Sequence, residues 1–420
     1  MEQVQDPVII AGAGQAGAQL AQSLRQGGFK GTITVIGEEA FPPYERPPLS
    51  KDYLAGKRDA ARLFLRKPEF WAERQVDMRL GQRVSAVDAA ARSVTLQSGE
   101  TLPYGWLVWA TGGRPRQLSC EGAGLAGIHY VRSIADIDRM KADLTEPGRR
   151  IVIVGGGYIG LEAAAVLRSF GHGVTVLEMQ DRLLARVTSP TVSRFFRNLH
   201  EGHGVKVMLS TGVTGLTGVD GRVTGVALSD GSTLPADLVV VGVGIIPNVE
   251  PLAAAGLPCP NGVAVDEFCR SSDPHILAIG DCALHPNGFA DAHIRLESVQ
   301  NAIDQAKVAA DVILGNPKPY TAMPWFWSDQ YEVKMQTAGL SIGHDQVVVR
   351  GTEGKLPFSV AYLKQGKLIA LDCLGSPKDF MQCRALVTAR AAVDPEKLAD
   401  TGIDLKSLMA AAAPAPAPAE

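Results

Sequence analysis

The sequence is short of cysteine. Six thiols (Cys120, Cys259, Cys269, Cys282, Cys373 and Cys383) are scattered through 420 residues, with no C-x-x-C pair among them. That spacing offers no ligand set for a metal or an iron–sulfur cluster, and a chain this long needs no disulfide framework to fold. Ordinary reduced thiols are expected. An excess of one charge is also missing: 41 basic against 44 acidic residues leave a net charge of −3. No basic field exists to hold nucleic acid or an anionic membrane. The longest largely apolar stretch, Leu238 to Ile246, is under half a membrane span and meets Pro247. No spanning helix is expected. Met1–Pro7 is polar and acidic and lacks the basic-then-apolar opening of a secretory signal, so a cytoplasmic protein is expected.

Glycine, in contrast, is plentiful, at 45 of 420 residues, and it is concentrated in a design that occurs twice. Residues 7–38 run through Val8-Ile-Ile-Ala11, Gly12-Ala-Gly14-Gln-Ala-Gly17, a helical stretch to Gln26, Gly27-Gly28, and Thr32-Ile-Thr-Val-Ile-Gly-Glu38. Residues 150–178 repeat it: Arg150-Ile-Val-Ile-Val154, Gly155-Gly-Gly157-Tyr-Ile159-Gly160, a helix to Phe170, Gly171, and Val174-Thr-Val-Leu-Glu178. A β-branched run, a Gly-rich turn, an amphipathic helix closed by glycine and a second apolar run make a strand–helix–strand unit. Two copies imply two dinucleotide domains, in keeping with a length that suggests two or three domains.

The rest of the chain fits around them. Trp106–Ala110 reads as a buried strand ending in Thr111-Gly112-Gly113, and Ile276–Ile279 as another ending in Gly280-Asp281. Asp230-Gly231 marks a hairpin between Val226–Leu228 and Leu238–Val241. Apolar positions from Ser298 to Leu314 follow a helical period. From about residue 321 the pattern changes to alternating runs at 346–350, 358–363 and 367–371, then a helix near 379–390, which suggests a small α+β domain. The expected organisation is a discontinuous first dinucleotide-binding domain (1–113 and 247–320), a second dinucleotide-binding domain (114–246), a C-terminal α+β domain (321–410) and a disordered Ala/Pro tail (411–420).

In a G-x-G-x-x-G turn the glycines permit a tight bend, the approach of backbone to a pyrophosphate, and close packing of helix on strand. A carboxylate at the end of the second strand accepts the adenosine ribose hydroxyls. Glu38 and Glu178 stand there, 21 and 18 residues past Gly17 and Gly160. At Glu178 the charge would repel a 2′-phosphate and favour NADH over NADPH, with Arg182 and Arg186 near enough to soften the preference.

Five stretches stand in order: Glu45-Arg-Pro-Pro-Leu-Ser-Lys51, Ala110-Thr-Gly-Gly-Arg-Pro115, Gly156-Gly-Tyr-Ile-Gly-Leu-Glu162, Gly242-Val-Gly-Ile-Ile-Pro-Asn248 and Trp325-Phe-Trp-Ser-Asp-Gln330. With both Gly-rich turns they resemble, over nearly the whole chain to about residue 410, the NADH:ferredoxin reductases that serve cytochrome P450s and ring-hydroxylating dioxygenases. The resemblance implies an α/β fold with two Rossmann-like domains of the glutathione-reductase kind plus a C-terminal α+β domain. It implies FAD against Gly12, Gly14, Ala16, Gly17, Glu38, Lys51, Val84, Thr111, Gly112, Arg132, Asp281 and Val299. NADH would lie against Gly155, Gly157, Ile159, Gly160, Glu178 and Gly244. Two of these have support of their own. An acid at Asp281, closing a buried strand, needs a polar partner such as a ligand hydroxyl. Val299 opens a helix whose positive dipole end suits a reduced flavin. Lys51 and Glu162 are implied as a pair beside flavin N5, and Trp327 as lying between the isoalloxazine and the ferredoxin.

Relatives that share the fold differ in chemistry. Disulfide reductases keep a cysteine pair just after the first fold, and NADH peroxidases and oxidases keep one; here residues 41–51 hold none. Electrons taken as hydride must then leave singly to a separate carrier, a [2Fe–2S] ferredoxin or alternatively a rubredoxin. A non-catalytic, NADH-binding redox sensor resembling the apoptosis-inducing flavoprotein is a further alternative.

Overall fold

A computed structural model describes residues 6–409; the tail expected at 411–420 lies outside them. The described residues form two compact units.

The first unit comprises residues up to Arg46, Asp59–Arg114 and Ile245–Ala322. Its centre is a five-stranded parallel sheet in the order Ile276–Ala278, Trp106–Trp109, Val8–Ala11, Ile33–Gly37, Val76–Leu80. Strands buried on both faces read as continuous apolar runs, which is why Val8–Ala11 and Ile33–Gly37 have no polar alternation. Val8 and Ile10 face helices Gln15–Gln26 and Val299–Ile313, while Ile9 and Ala11 face a second core with Trp109 and Leu257. Each buried Val, Ile or Leu side chain among these contributes about 1.5–3 kcal/mol. The two helices pack together, and the core they share includes Ala18, Ala21, Ala302, Ala306 and Ala309. Helix Val299–Ile313 also buries Asn301 and Gln305, which its apolar period does not announce.

The second unit comprises Pro47–Arg58, Pro115–Gly244 and the residues from Met323 on. A parallel sheet runs Lys206–Met208, Gly173–Leu177, Arg150–Val154, Leu238–Val241, Ile128–Tyr130. The Asp230-Gly231 hairpin joins Arg222–Leu228 to Thr233–Pro235 instead of to Leu238–Val241. Leu238–Val241 is apolar at every position because it enters the parallel sheet and is covered on both sides. The C-terminal segment is an antiparallel sheet, Trp325–Gln330, Val333–Gly339, Lys367–Leu374, Phe358–Lys364, Gln346–Arg350, with helix Pro377–Thr388 over its core.

Two buried acids tie this unit together. Asp372, 1% exposed, accepts hydrogen bonds from Thr188 (2.5 Å), Tyr362 (2.5 Å) and Thr337 (2.6 Å). Glu162 draws in Pro47–Arg58, a stretch that lies inside the 1–113 segment by sequence but groups with the second unit: Ser50 and Lys51 bond Glu162, and Tyr53 bonds Asp138 at 2.6 Å.

Each unit also buries a neutral histidine. Burial pushes His285 in the first and His200 in the second down to about 4 from the ordinary 6.5. The unfolded chain takes up a proton at each below pH 6.5, and the folded chain does not. Stability is therefore complete above that value and falls toward pH 4, by about 2 kcal/mol per histidine at pH 5. Denaturant midpoints measured from pH 7.5 to 4.5 should decline accordingly; a flat profile between pH 7 and 5 contradicts it.

Candidate functional site

The two Gly-rich turns fold alike, and the space around each glycine explains why. A Cβ on Gly12 would stand 2.2 Å from the Ala110 carbonyl oxygen, and one on Gly155 2.4 Å from that of Gly242. Both adopt left-handed backbone, φ +119° and +110°, where a side chain is strained. Gly17 and Gly160 close the packing: a Cβ there would meet the carbonyl oxygens of Gly12 and Gly155 at 2.0 and 2.2 Å. The middle glycines differ. Gly14 and Gly157 have no atom within 4 Å of a built Cβ, and they are the N-caps of helices Gln15–Gln26 and Tyr158–Ser169, without a side-chain cap. Each helix thus presents free N–H groups and the positive end of its dipole to open space, a cradle shaped for a phosphate.

In the first unit the cradle is bordered by the Thr111–Gly112 corner. Asn248 holds that corner: its carbonyl accepts from Thr111 Oγ1 and Trp109 Nε1, both at 2.7 Å, and its N–H donates to the Gly112 carbonyl at 3.0 Å. The role of Asn248 was not legible in the sequence. Ala16 packs under Gly280, at 3.2 Å from a built Cβ, and the Gly280 N–H donates to Gln305 at 2.7 Å, which sets Asp281 at the sheet's end. Val299 is the first residue of its helix, capped by Ser298. Glu38 is exposed, with Arg83 at 3.7 Å. Val84 is buried at the start of strand Val84–Asp88.

In the second unit Glu178 is held by backbone: its carboxylate accepts from the N–H of Gly156 and of Gln180, both at 2.8 Å. Two oxygens keep further lone pairs for ribose hydroxyls. Ile159 stands on the first turn of the helix and is 45% exposed. Gly244 has φ +95° and its carbonyl accepts from the Arg116 N–H. Arg132 follows strand Ile128–Tyr130 and is half-buried.

Glu162 is the most constrained group. It is 4% exposed, on the buried face of helix Tyr158–Ser169. A charge there is tolerable only when paired and fully hydrogen-bonded. Oε2 receives the Lys51 ammonium at 2.7 Å and Ser50 Oγ at 2.5 Å; Oε1 receives Ser328 Oγ at 2.6 Å. The sequence reading named Lys51 and Glu162 but not the two serines, although both stood in the quoted motifs. Trp327, half-buried, lies two residues along from Trp325, with ring centres 5.5 Å apart.

No helix among the described residues is long and apolar enough to cross a membrane. No group of three or more His, Cys, Asp or Glu side chains among them could hold a metal ion.

The fixed charge at Glu178 generates a test. Glu178→Gln keeps an acceptor for the Gly156 N–H and removes the charge. The ratio of kcat/KM for NADH to that for NADPH should fall by tenfold or more, about 1.4 kcal/mol. An unchanged ratio contradicts a role for this carboxylate in the preference.

Comparisons with known proteins identify the family. The chain is 51% identical over 405 residues to a ferredoxin–NAD(P)(+) reductase of a Sphingomonas species, covering 96% of this chain and 97% of the relative. It is 50% identical to the 5,5′-dehydrodivanillate O-demethylase ferredoxin reductase subunit of a Sphingobium species, with coverage of 96% and 98%. Among solved structures, the covalent putidaredoxin reductase–putidaredoxin complex superimposes with a TM-score of 0.94 at 40% identity, covering 98% of this chain and 99% of that one. The reductase C-terminal family matches residues 325–409. Residues 6–306 match the pyridine nucleotide-disulphide oxidoreductase family, and the chain belongs to it.

Proposed function

We propose that this protein takes a hydride from NADH onto FAD and passes the electrons singly to a [2Fe–2S] ferredoxin, which serves a cytochrome P450 or a ring-hydroxylating dioxygenase. One observation carries the reading. The segment where thiol-using relatives keep their redox cysteine instead sends Ser50 and Lys51 to the buried Glu162. The thiols are poorly suited to act as a relay. Four of the six cysteines are buried, and burial pushes Cys282 up to about 11, Cys269 higher still, and Cys373 well above the ordinary thiol value. A thiol held protonated is a weak nucleophile.

The residues divide the work. Gly14 at its helix start, Glu38, the Thr111–Gly112 corner and Asp281 would hold FAD, together with Ala16, Val84, Arg132 and Val299. Gly157, Ile159, Gly160, Glu178 and Gly244 would hold NADH. Bound FAD supplies the conversion of a two-electron donor into two one-electron deliveries. Lys51, oriented by Glu162, would set a fixed positive charge beside the bound flavin and would not itself carry the hydride. The balance is one NADH oxidised, two carrier molecules each reduced once, and one proton released. Trp327 is assigned to the path toward the carrier, and the cytoplasm is the compartment proposed for the reaction.

Removing Lys51 alone would strand a buried carboxylate, so the informative variant is Lys51→Met/Glu162→Gln together. Stopped-flow reduction of the bound flavin by NADH should slow by roughly tenfold or more, since a charge aimed at the reacting centre is lost. The rate is taken per bound FAD. In the unmodified protein, ferredoxins of the same organism should be reduced faster than rubredoxin. Failure to reduce any one-electron carrier would favour the redox-sensing alternative, and faster turnover with rubredoxin would favour the rubredoxin reductase.

A further inference from the structure

The hydrogen bonds around Glu162 continue beyond its carboxylate. Along strand Trp325–Gln330 the side chains alternate. Trp325 packs on Phe380 in the C-terminal core, whereas Phe326 meets Tyr158 with ring centres 4.6 Å apart. Ser328 and Gln330 share the face of Phe326, two and four residues on. They are 0% and 1% exposed. Ser328 Oγ donates to Glu162 Oε1 at 2.6 Å, Gln330 Nε2 donates to Ser328 Oγ at 3.2 Å, and His200 Nε2 lies 2.8 Å from Gln330 Oε1.

With Glu162 ionised, every proton in this string has one place. The carboxylate only accepts, so Ser328 gives it its single hydrogen. The serine oxygen then accepts from the Gln330 amide, and that turns the amide oxygen toward His200. His200 Nε2 must therefore carry its hydrogen. Burial that brings this imidazole down to about 4 keeps the ring neutral, and Nδ1 has no hydrogen-bond partner. Three dipoles in series point their positive ends at Glu162. A glutamine amide donates but does not readily hand a proton on, so the string is a fixed array and not a proton path. Apolar side chains would fill the same volume without burying polar groups. What the polar trio adds is orientation of one carboxylate.

We propose that Ser328, backed by Gln330 and His200, is a positioning residue for the reductase reaction: it fixes the Glu162 carboxylate and, through it, the Lys51 ammonium. The inference rests on the assignment of Lys51 and Glu162 made under Proposed function.

The test uses the FAD-loaded protein and Ser328→Ala. The limiting rate of flavin reduction by NADH should fall roughly tenfold or more, as expected for a misplaced charge, while the half-saturating NADH concentration changes less than about twofold. A role in packing alone would not separate the two quantities. A Ser328→Ala protein reduced at the unmodified rate overturns the inference. Should that variant fail to retain FAD, Gln330→Met decides: a slower limiting rate at unchanged half-saturation supports the proposal, and an unchanged rate overturns it. If the Lys51→Met/Glu162→Gln protein is itself as fast as the unmodified one, the assignment of that pair fails first. If that protein is slow and Ser328→Ala is not, only the role of Ser328 fails.

Discussion

A carboxylate taken out of water is the constraint around which the second unit is arranged. Burying an unpaired charge costs several kcal/mol, more than most single contacts return. Glu162 meets that cost with donors from two segments far apart in the chain, Ser50 and Lys51 on one side and Ser328 on the other. Those bonds explain why residues 47–58 group with a unit from which they are distant in sequence. Asp372 does the same on a smaller scale, gathering Thr188, Thr337 and Tyr362. Burial holds its carboxyl above the usual range, and three hydroxyl groups bond it out of reach of water.

The two Gly-rich turns show how the same short pattern is read by packing. The outer glycines are required because backbone carbonyls stand where a Cβ would go, whereas the middle one faces open space at the start of its helix. Beyond the glycines the repeats diverge. Glu178 is fixed by two backbone N–H groups, whereas Glu38 reaches into solvent with Arg83 near it. A fixed carboxylate discriminates between ligands at its place more sharply than a mobile one, because it cannot swing away from an unwelcome phosphate.

Much of the architecture could be read from the chain alone because it rests on local periodicity. Val8–Ala11, Arg150–Val154 and Trp106–Trp109 are apolar runs bounded by glycine, and helix Val299–Ile313 has a regular apolar stripe behind Ser298. Those signals depend on neighbours a few residues apart, and so did both nucleotide cradles. The Asp230-Gly231 turn was also legible, but its second strand was not: Thr233–Pro235 is three residues long and the stronger run at Leu238–Val241 belongs to another sheet. Local propensity favours the longer run, and tertiary pairing overrides it.

What the sequence by itself determined was the pair of strand–Gly-turn–helix units and the residue types at their ends, since each follows from a short apolar run, a helical period of 3.6 and a backbone that only glycine can adopt. Which polar residues meet inside the molecule was decided only by the tertiary structure. Ser50, Ser328, Gln330, His200 and Asn248 look like ordinary polar positions in the chain, and nothing within a few residues of any of them indicates a partner 100 or more residues away. Hydrogen-bond partners at that separation are chosen by the packing of whole elements, so the bonds that hold Glu162 and the Thr111–Gly112 corner exist only once the strands and helices carrying them have come together.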